Sequence, residues 1–186
     1  FSHNGIFRLY YLADRHGHKS KYGLGAHRWA QVFSRDLKQW NPCDIALDID
    51  EQFEGSICTG SVCFFNDRYY AFYAVRMSDG SPAKLSYAIS SDGEHYVKSG
   101  QYFTLSSRYH SPSARDPRVF AGIDGKYHML VTTSLMNGSS PGSGCLAHLT
   151  GDTPESFSEA GEFITLDIKD QPECSDYFYY GGIYYL

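Results

Sequence analysis

The sequence predicts an all-β protein of repeated units, a β-propeller, and two observations carry that expectation. The first is composition: 16% of the 186 residues are aromatic, led by 16 Tyr, and 18 Gly with 7 Pro supply tight turns. Tyr, Phe, Val and Thr at this density favour half-buried pleated strands. The second is self-similarity. Four segments align without gaps, beginning at Asn4, Asn66, Asp124 and Gly181, and each joins a hairpin turn signal to an aromatic strand. Their turns, at residues 5, 67, 125 and 182, lie 62, 58 and 57 residues apart. A fixed period of this size, with several short strands per unit, is the mark of a propeller.

In the first unit only Phe1-Ser2-His3 precedes the turn, so most of an innermost strand is expected upstream. Trp29, Val32, Phe33, Leu37 and Trp40 also fit an amphipathic helix. The copied stretch Leu85 to Ser90 alternates and runs into Asp92-Gly93, which would stop a helix, so the segment is read as strand. Ser34-Arg35-Asp36, Ser90-Ser91-Asp92 and Thr150-Gly151-Asp152 mark equivalent turns. Innermost strands are expected to start near Gly60, Arg115 and Cys174, giving units over about 1–50, 51–108, 109–168 and 169–186. The expectation is a partial propeller domain of about three and a half blades.

A net charge of -5 without a basic cluster argues against nucleic-acid and anionic membrane partners. No apolar run approaches the roughly 18 residues of a membrane helix. The five cysteines, Cys43, Cys58, Cys63, Cys145 and Cys174, have no C-x-x-C spacing and read as buried, reduced thiols. His16-Gly17-His18 with Lys19 and Lys21 reads as a polar loop rather than a metal site. No Gly-rich phosphate loop stands out, and the reading calls for neither metal nor cofactor. The start at Phe1 leaves the compartment open.

Two acids carry the chemistry. Asp116 and Glu173 each stand nine residues before a turn glycine, Gly125 and Gly182, and Cys58 holds that place in the second unit. Units packed around an axis bring equivalent positions together, and convergent carboxylates are how glycosidases are built. The two acids are expected to face one cavity with Thr59 on its wall, and Arg115 is expected to contact a carboxylate.

Arg115-Asp116-Pro117 and Glu173-Cys174 resemble the Arg-Asp-Pro and Glu-Cys signatures of glycoside hydrolase family 32, the five-bladed β-propeller β-fructosidases. The stretch from Trp29 to Leu37 is similar to the family's Trp-Gly-His-Ala-x-Ser-x-Asp-Leu segment, with Gly and His replaced, and Cys58-Thr59-Gly60-Ser61 to its aromatic-Ser-Gly-Ser. The resemblance implies a carbohydrate substrate, Glu173 as general acid/base and Asp116 as transition-state stabiliser. It also points to Arg115, Thr59, Cys58 and Trp29 as substrate-binding residues. A glycosidic oxygen leaves only if protonated as its bond breaks, which is the task this gives Glu173. The family's nucleophilic Asp, in Asn-Asp-Pro-Asn-Gly, corresponds to a position upstream of Phe1. Two departures bear on the sugar, since Leu12 stands where the family has Gln, and Leu24 where it has Trp.

The favoured reading is a retaining β-fructofuranosidase-like enzyme. An inverting propeller glycosidase of the arabinanase and xylosidase kind stays open, separable by a carboxyl spacing of about 6.5–9.5 Å rather than about 5–5.5 Å. So does a non-catalytic propeller that binds sugar or protein, which Leu12 and Leu24 favour.

Overall fold

The computed structural model describes residues 1–14 and 26–186. The His16 to Lys21 loop and Leu24 lie outside the described residues. The first sheet orders β1 (Ser2–His3), β2 (Ile6–Asp14), β3 (His27–Ser34) and β4 (Asn41–Pro42). The second holds β5 (Glu54–Phe65), β6 (Arg68–Met77), β7 (Lys84–Ser90) and β8 (Val97–Phe103). The third runs from β9 (Arg115–Ala121) through β10 (Tyr127–Asn137) and β11 (Ser140–Thr153) to β12 (Ser156–Thr165). A hairpin of β13 (Phe178–Tyr180) and β14 (Ile183–Tyr185) follows. Every pairing is antiparallel between sequence neighbours.

Turn chemistry sets these hairpins. Asn4-Gly5, Asn66-Asp67 and Gly181-Gly182 have positive φ at both central residues, the two-residue turn whose twist matches the flanking strands. The third unit differs: Ala121 pairs with Tyr127, leaving a five-residue loop over 122–126. β3 is a strand, as the copied pattern predicts; pairing with β2 along its whole length overrides the helical spacing of Trp29, Val32 and Phe33.

The core lies between sheets. Trp29, Leu47, Ile57, Val62, Tyr73 and Val75 join the first sheet to the second. Phe72, Leu85, Tyr109, Val119, Met129 and Val131 join the second to the third. β6 sends Phe72 and Ala74 to one side and Ala71, Tyr73 and Val75 to the other, so a strand buried on both faces reads as a continuous apolar run.

Three expectations need correction. β5 starts at Glu54, six residues ahead of Gly60, because it pairs with β6 on both sides of an irregularity at Cys58-Thr59. β13 starts at Phe178 and not near Cys174, since residues 172–176 are bonded across to the third sheet instead of to a neighbouring strand. All five cysteines are unpaired, but only Cys63 and Cys145 are buried, while Cys174 is exposed.

Candidate active site

The site begins with a break in strand alternation. Arg115 pairs with Thr132 and Arg118 with Leu130, so Asp116 and Pro117 together oppose the single residue Val131. This bulge coincides with a left-handed backbone at Asp116, φ +53°. The kink brings two sequence neighbours to the same side, where Arg115 Nε lies 3.6 Å from Asp116 Oδ2. β5 does the same: Ile57 pairs with Val75 and Gly60 with Tyr73, so Cys58 and Thr59 oppose Ala74. Gly60 permits that close crossing, since a Cβ there would lie 1.8 Å from the Phe72 carbonyl oxygen.

Cys58 and Asp116 thus each open a two-against-one break in their strand, though only Asp116 is left-handed. In the fourth unit the left-handed residue is Cys174, φ +51°, directly after Glu173.

Arg115 is the centre of the cluster. Its Nη2 donates to Glu173 Oε1 at 2.8 Å, and Nη1 donates to the Ser113 carbonyl at 3.0 Å and to Gln171 Oε1. Asp116 is buried, and its Oδ2 accepts the Cys174 N–H at 3.2 Å. The Glu173 side chain is 69% exposed. A second ion pair, Arg118 Nε to Asp176 Oδ1 at 2.6 Å, lies two residues beyond the left-handed positions in both units. Ser61 ties the second unit to the third, donating to the Pro117 carbonyl at 2.7 Å and accepting the Val119 N–H at 3.1 Å.

A cleft of about 260 Å³ opens among Thr59, Asp116, Arg118, Cys174 and Asp176. A neighbouring cleft shares Thr59 to Val62 and adds Tyr10, Leu12 and Trp29. Burial pushes the Cys58 thiol up; Arg76 opposes this and Asp116 adds to it. Burial and then the charges of Asp116 and Glu173 raise Cys174 likewise. Both thiols therefore stay protonated at neutral pH, neutral neighbours rather than nucleophiles.

Asp116 and Thr59 share a cleft, Cys58 adjoins Asp116, and Arg115 contacts both acids. Glu173 is not among the residues lining that cleft; it reaches Asp116 through Arg115 because it precedes the kink and points along the guanidinium. Trp29 is 4% exposed and its indole N–H donates to the Cys58 carbonyl at 2.9 Å, which leaves the ring to wall the neighbouring cleft. Sequence reasoning did not single out Gln171, Ser113, Ser134, Arg118 or Asp176. One signal was available: Arg118 and Asp176, of opposite charge, are 58 residues apart, one repeat. Among the described residues no group of three His, Cys, Asp or Glu is placed to hold a metal ion.

A family model described as the glycosyl hydrolases family 32 N-terminal domain matches residues 1–181. The sucrose-6-phosphate hydrolase of Bacillus subtilis (strain 168) is 29% identical over 119 residues, covering 62% of this chain and 24% of that protein. Among solved structures, fructan 1-exohydrolase IIa from Cichorium intybus superposes with a TM-score of 0.78 at 16% identity, over 94% of this chain and 33% of its own. The GH32 beta-fructofuranosidase of Bombyx mori gives 0.77 at 18% identity, over 98% and 38%. The sucrose-6-phosphate hydrolase of Lactobacillus gasseri gives 0.69 at 23% identity, over 86% and 32%. The chain spans about a quarter of the curated relative's length. These likenesses make the three sheets and the hairpin blades of a five-bladed β-propeller fold.

Proposed function

The chain belongs to glycosyl hydrolases family 32, and on that premise we propose that it supplies part of the catalytic propeller of a retaining β-fructofuranosidase. Glu173 serves as acid/base and Asp116 holds sugar hydroxyls. The nucleophilic Asp comes from outside residues 1–186.

The observation that carries this reading is the pairing of both acids with one guanidinium, Arg115 to Glu173 at 2.8 Å and to Asp116 at 3.6 Å, beside a cleft walled by Thr59. It supports a division of labour. Asp116 is buried, with one carboxylate oxygen fixed by a backbone N–H, as suits a rigid acceptor for hydroxyls. Glu173 is exposed and held at one oxygen, as suits a group that must meet a departing glycosidic oxygen, donate its proton, and later take one from water. In the retaining scheme the nucleophile forms a bond to the anomeric carbon as the protonated leaving group departs, and water then releases the sugar. The named activities of the similar proteins, on sucrose 6-phosphate and fructans, suggest fructofuranosides as the substrate class.

The test is Glu173→Gln in the protein as its gene encodes it. An amide cannot deliver the proton, so turnover of sucrose should fall about 10²–10⁴-fold. An aryl β-fructofuranoside, whose leaving group needs less protonation, should lose less in the bond-breaking step. Equal losses on both substrates would remove Glu173 from the acid role.

A further inference from the structure

Behind Arg115 stands a residue that nothing above assigns to the chemistry. Gln171 lies two residues before Glu173, half-buried, with both ends of its amide engaged. Its Nε2 donates to Ser113 Oγ at 2.9 Å and to Ser134 Oγ at 2.6 Å. Those two bonds fix the orientation of the amide and turn Oε1 toward Arg115, whose Nη1 donates to it. The same guanidinium then reaches Glu173 through Nη2.

The backbone around Gln171 is held as firmly as its side chain. Thr132 Oγ1, fully buried, donates to the Pro172 carbonyl at 2.6 Å. On the other side, Gly144 N–H donates to the Ile168 carbonyl at 2.9 Å and Leu166 N–H donates to the Gly144 carbonyl at 2.8 Å. The segment passes so near that a Cβ on Gly144 would lie 2.0 Å from the Asp170 carbonyl oxygen. A polar side chain anchored this way at a blade edge does more than fill space. Its one free acceptor is spent on the cation that contacts both acids.

We propose that Gln171 is a positioning residue, which holds the Arg115 guanidinium so that its Nη2 fixes Glu173 at the working distance from Asp116. Without the Gln171 acceptor the guanidinium keeps only the Ser113 carbonyl on its far side and can rotate about its stem. Among the described residues Glu173, largely in solvent, has no other charged partner to hold it. Misplacement of a reacting group by about 1 Å can cost on the order of 10²-fold. The effect belongs to turnover and not to sugar binding, because Gln171 itself is not among the residues lining the cleft.

This inference rests on the glycosidase reading, and the experiment separates the two. The gene-encoded protein is assayed on sucrose, sucrose 6-phosphate and 1-kestose, then compared with Gln171→Met, Gln171→Glu, Glu173→Gln and the Gln171→Met/Glu173→Gln double variant. Gln171→Met should lower kcat about 10- to 100-fold with KM within about threefold. Gln171→Glu, which still accepts from Arg115, should recover most of that loss. Gln171→Met should do nothing further once Glu173 is Gln, since it acts only through that carboxyl. Thermal unfolding gates the comparison, and Ser134→Ala, which frees the amide without removing it, replaces Gln171→Met if the latter does not fold. Wild-type kcat in the Met variant, a change in KM alone, or an undiminished loss in the Glu173→Gln background overturns the inference while leaving the glycosidase reading in place. A wild-type protein that turns over none of the three sugars overturns both.

Discussion

Asp116 takes up φ +53° directly ahead of Pro117, where the residue before a proline is expected to be extended. Among side chains with a Cβ, Asp and Asn bear the left-handed region best, because a short polar side chain can hydrogen-bond locally. Here it accepts from Cys174 N–H. Backbone and chemistry therefore ask different things of one residue, and two substitutions separate them. Asp116→Asn keeps the conformation and the acceptor, so its urea midpoint should stay near wild type; turnover should drop about 10- to 100-fold because an ionised acceptor to a sugar hydroxyl, worth about 1.5–3 kcal/mol, is gone. Asp116→Val should lower the midpoint as well, since a β-branched residue is strained at positive φ. A midpoint for Asn that falls as far as that for Val would mean the carboxylate charge itself holds the fold. Nothing in the tripeptide Arg115-Asp116-Pro117 announces the left-handed turn, and nothing in Glu173-Cys174 announces the one at Cys174.

At the level of elements, turn chemistry was the most legible part of the chain. Ser34 and Ser90 each accept two backbone N–H bonds from the following turn, and Asp36 and Asp92 each cap the next two N–H groups. The residue after each Asp is left-handed, Leu37 at φ +61° and Gly93 at φ +75°. Local side-chain bonds of this kind are readable from sequence because donor and acceptor sit two or three residues apart. Burial works against the Asp92 carboxylate, yet the His95 ring, the N–H groups of His95 and Glu94 and the Ser90 hydroxyl hold it well below the usual range. His95 is raised in return by its bond to Asp92. A depressed carboxylate adds stability that is present above its unfolded value, about 3.9, and lost as pH falls through the lower folded one. A raised histidine adds stability that is complete below about 6.5 and lost as pH rises through its folded value. Asp92→Ala should therefore cost most between about pH 4 and 6.5, less at pH 9, and least below pH 2, measured as the difference in urea midpoint from wild type. A difference that does not vary with pH would assign the turn to its serine alone.

Across the whole molecule, stability resides between blades. Phe72 is 1% exposed, meets Phe157 edge-on at 5.9 Å and lies in the cluster that joins the second sheet to the third. Phe72→Ala should cost about 3–5 kcal/mol by loss of buried area and the cavity left behind. Denaturant unfolding should show it as a lowered midpoint, and a cost below about 1 kcal/mol would mean the blades do not depend on each other there. The repeat period and strand order were legible because each blade restates one pattern of turn and aromatic strand. The partners Ser113, Ser134 and Gln171 were not, since their meeting depends on how one blade's edge crosses the next. The bulge at Asp116-Pro117 has a further consequence for how this chain tolerates gain and loss of residues. Between Ala121 and Tyr127, an added residue can be absorbed by the five-residue loop, at the end of the strand away from the acids. Between Ser113 and Pro117, one residue more or less would exchange the two faces of the strand entrance and turn Asp116 away from Arg115. Lineages of this protein should accordingly vary in length at 122–126 and keep a constant count from 113 to 117.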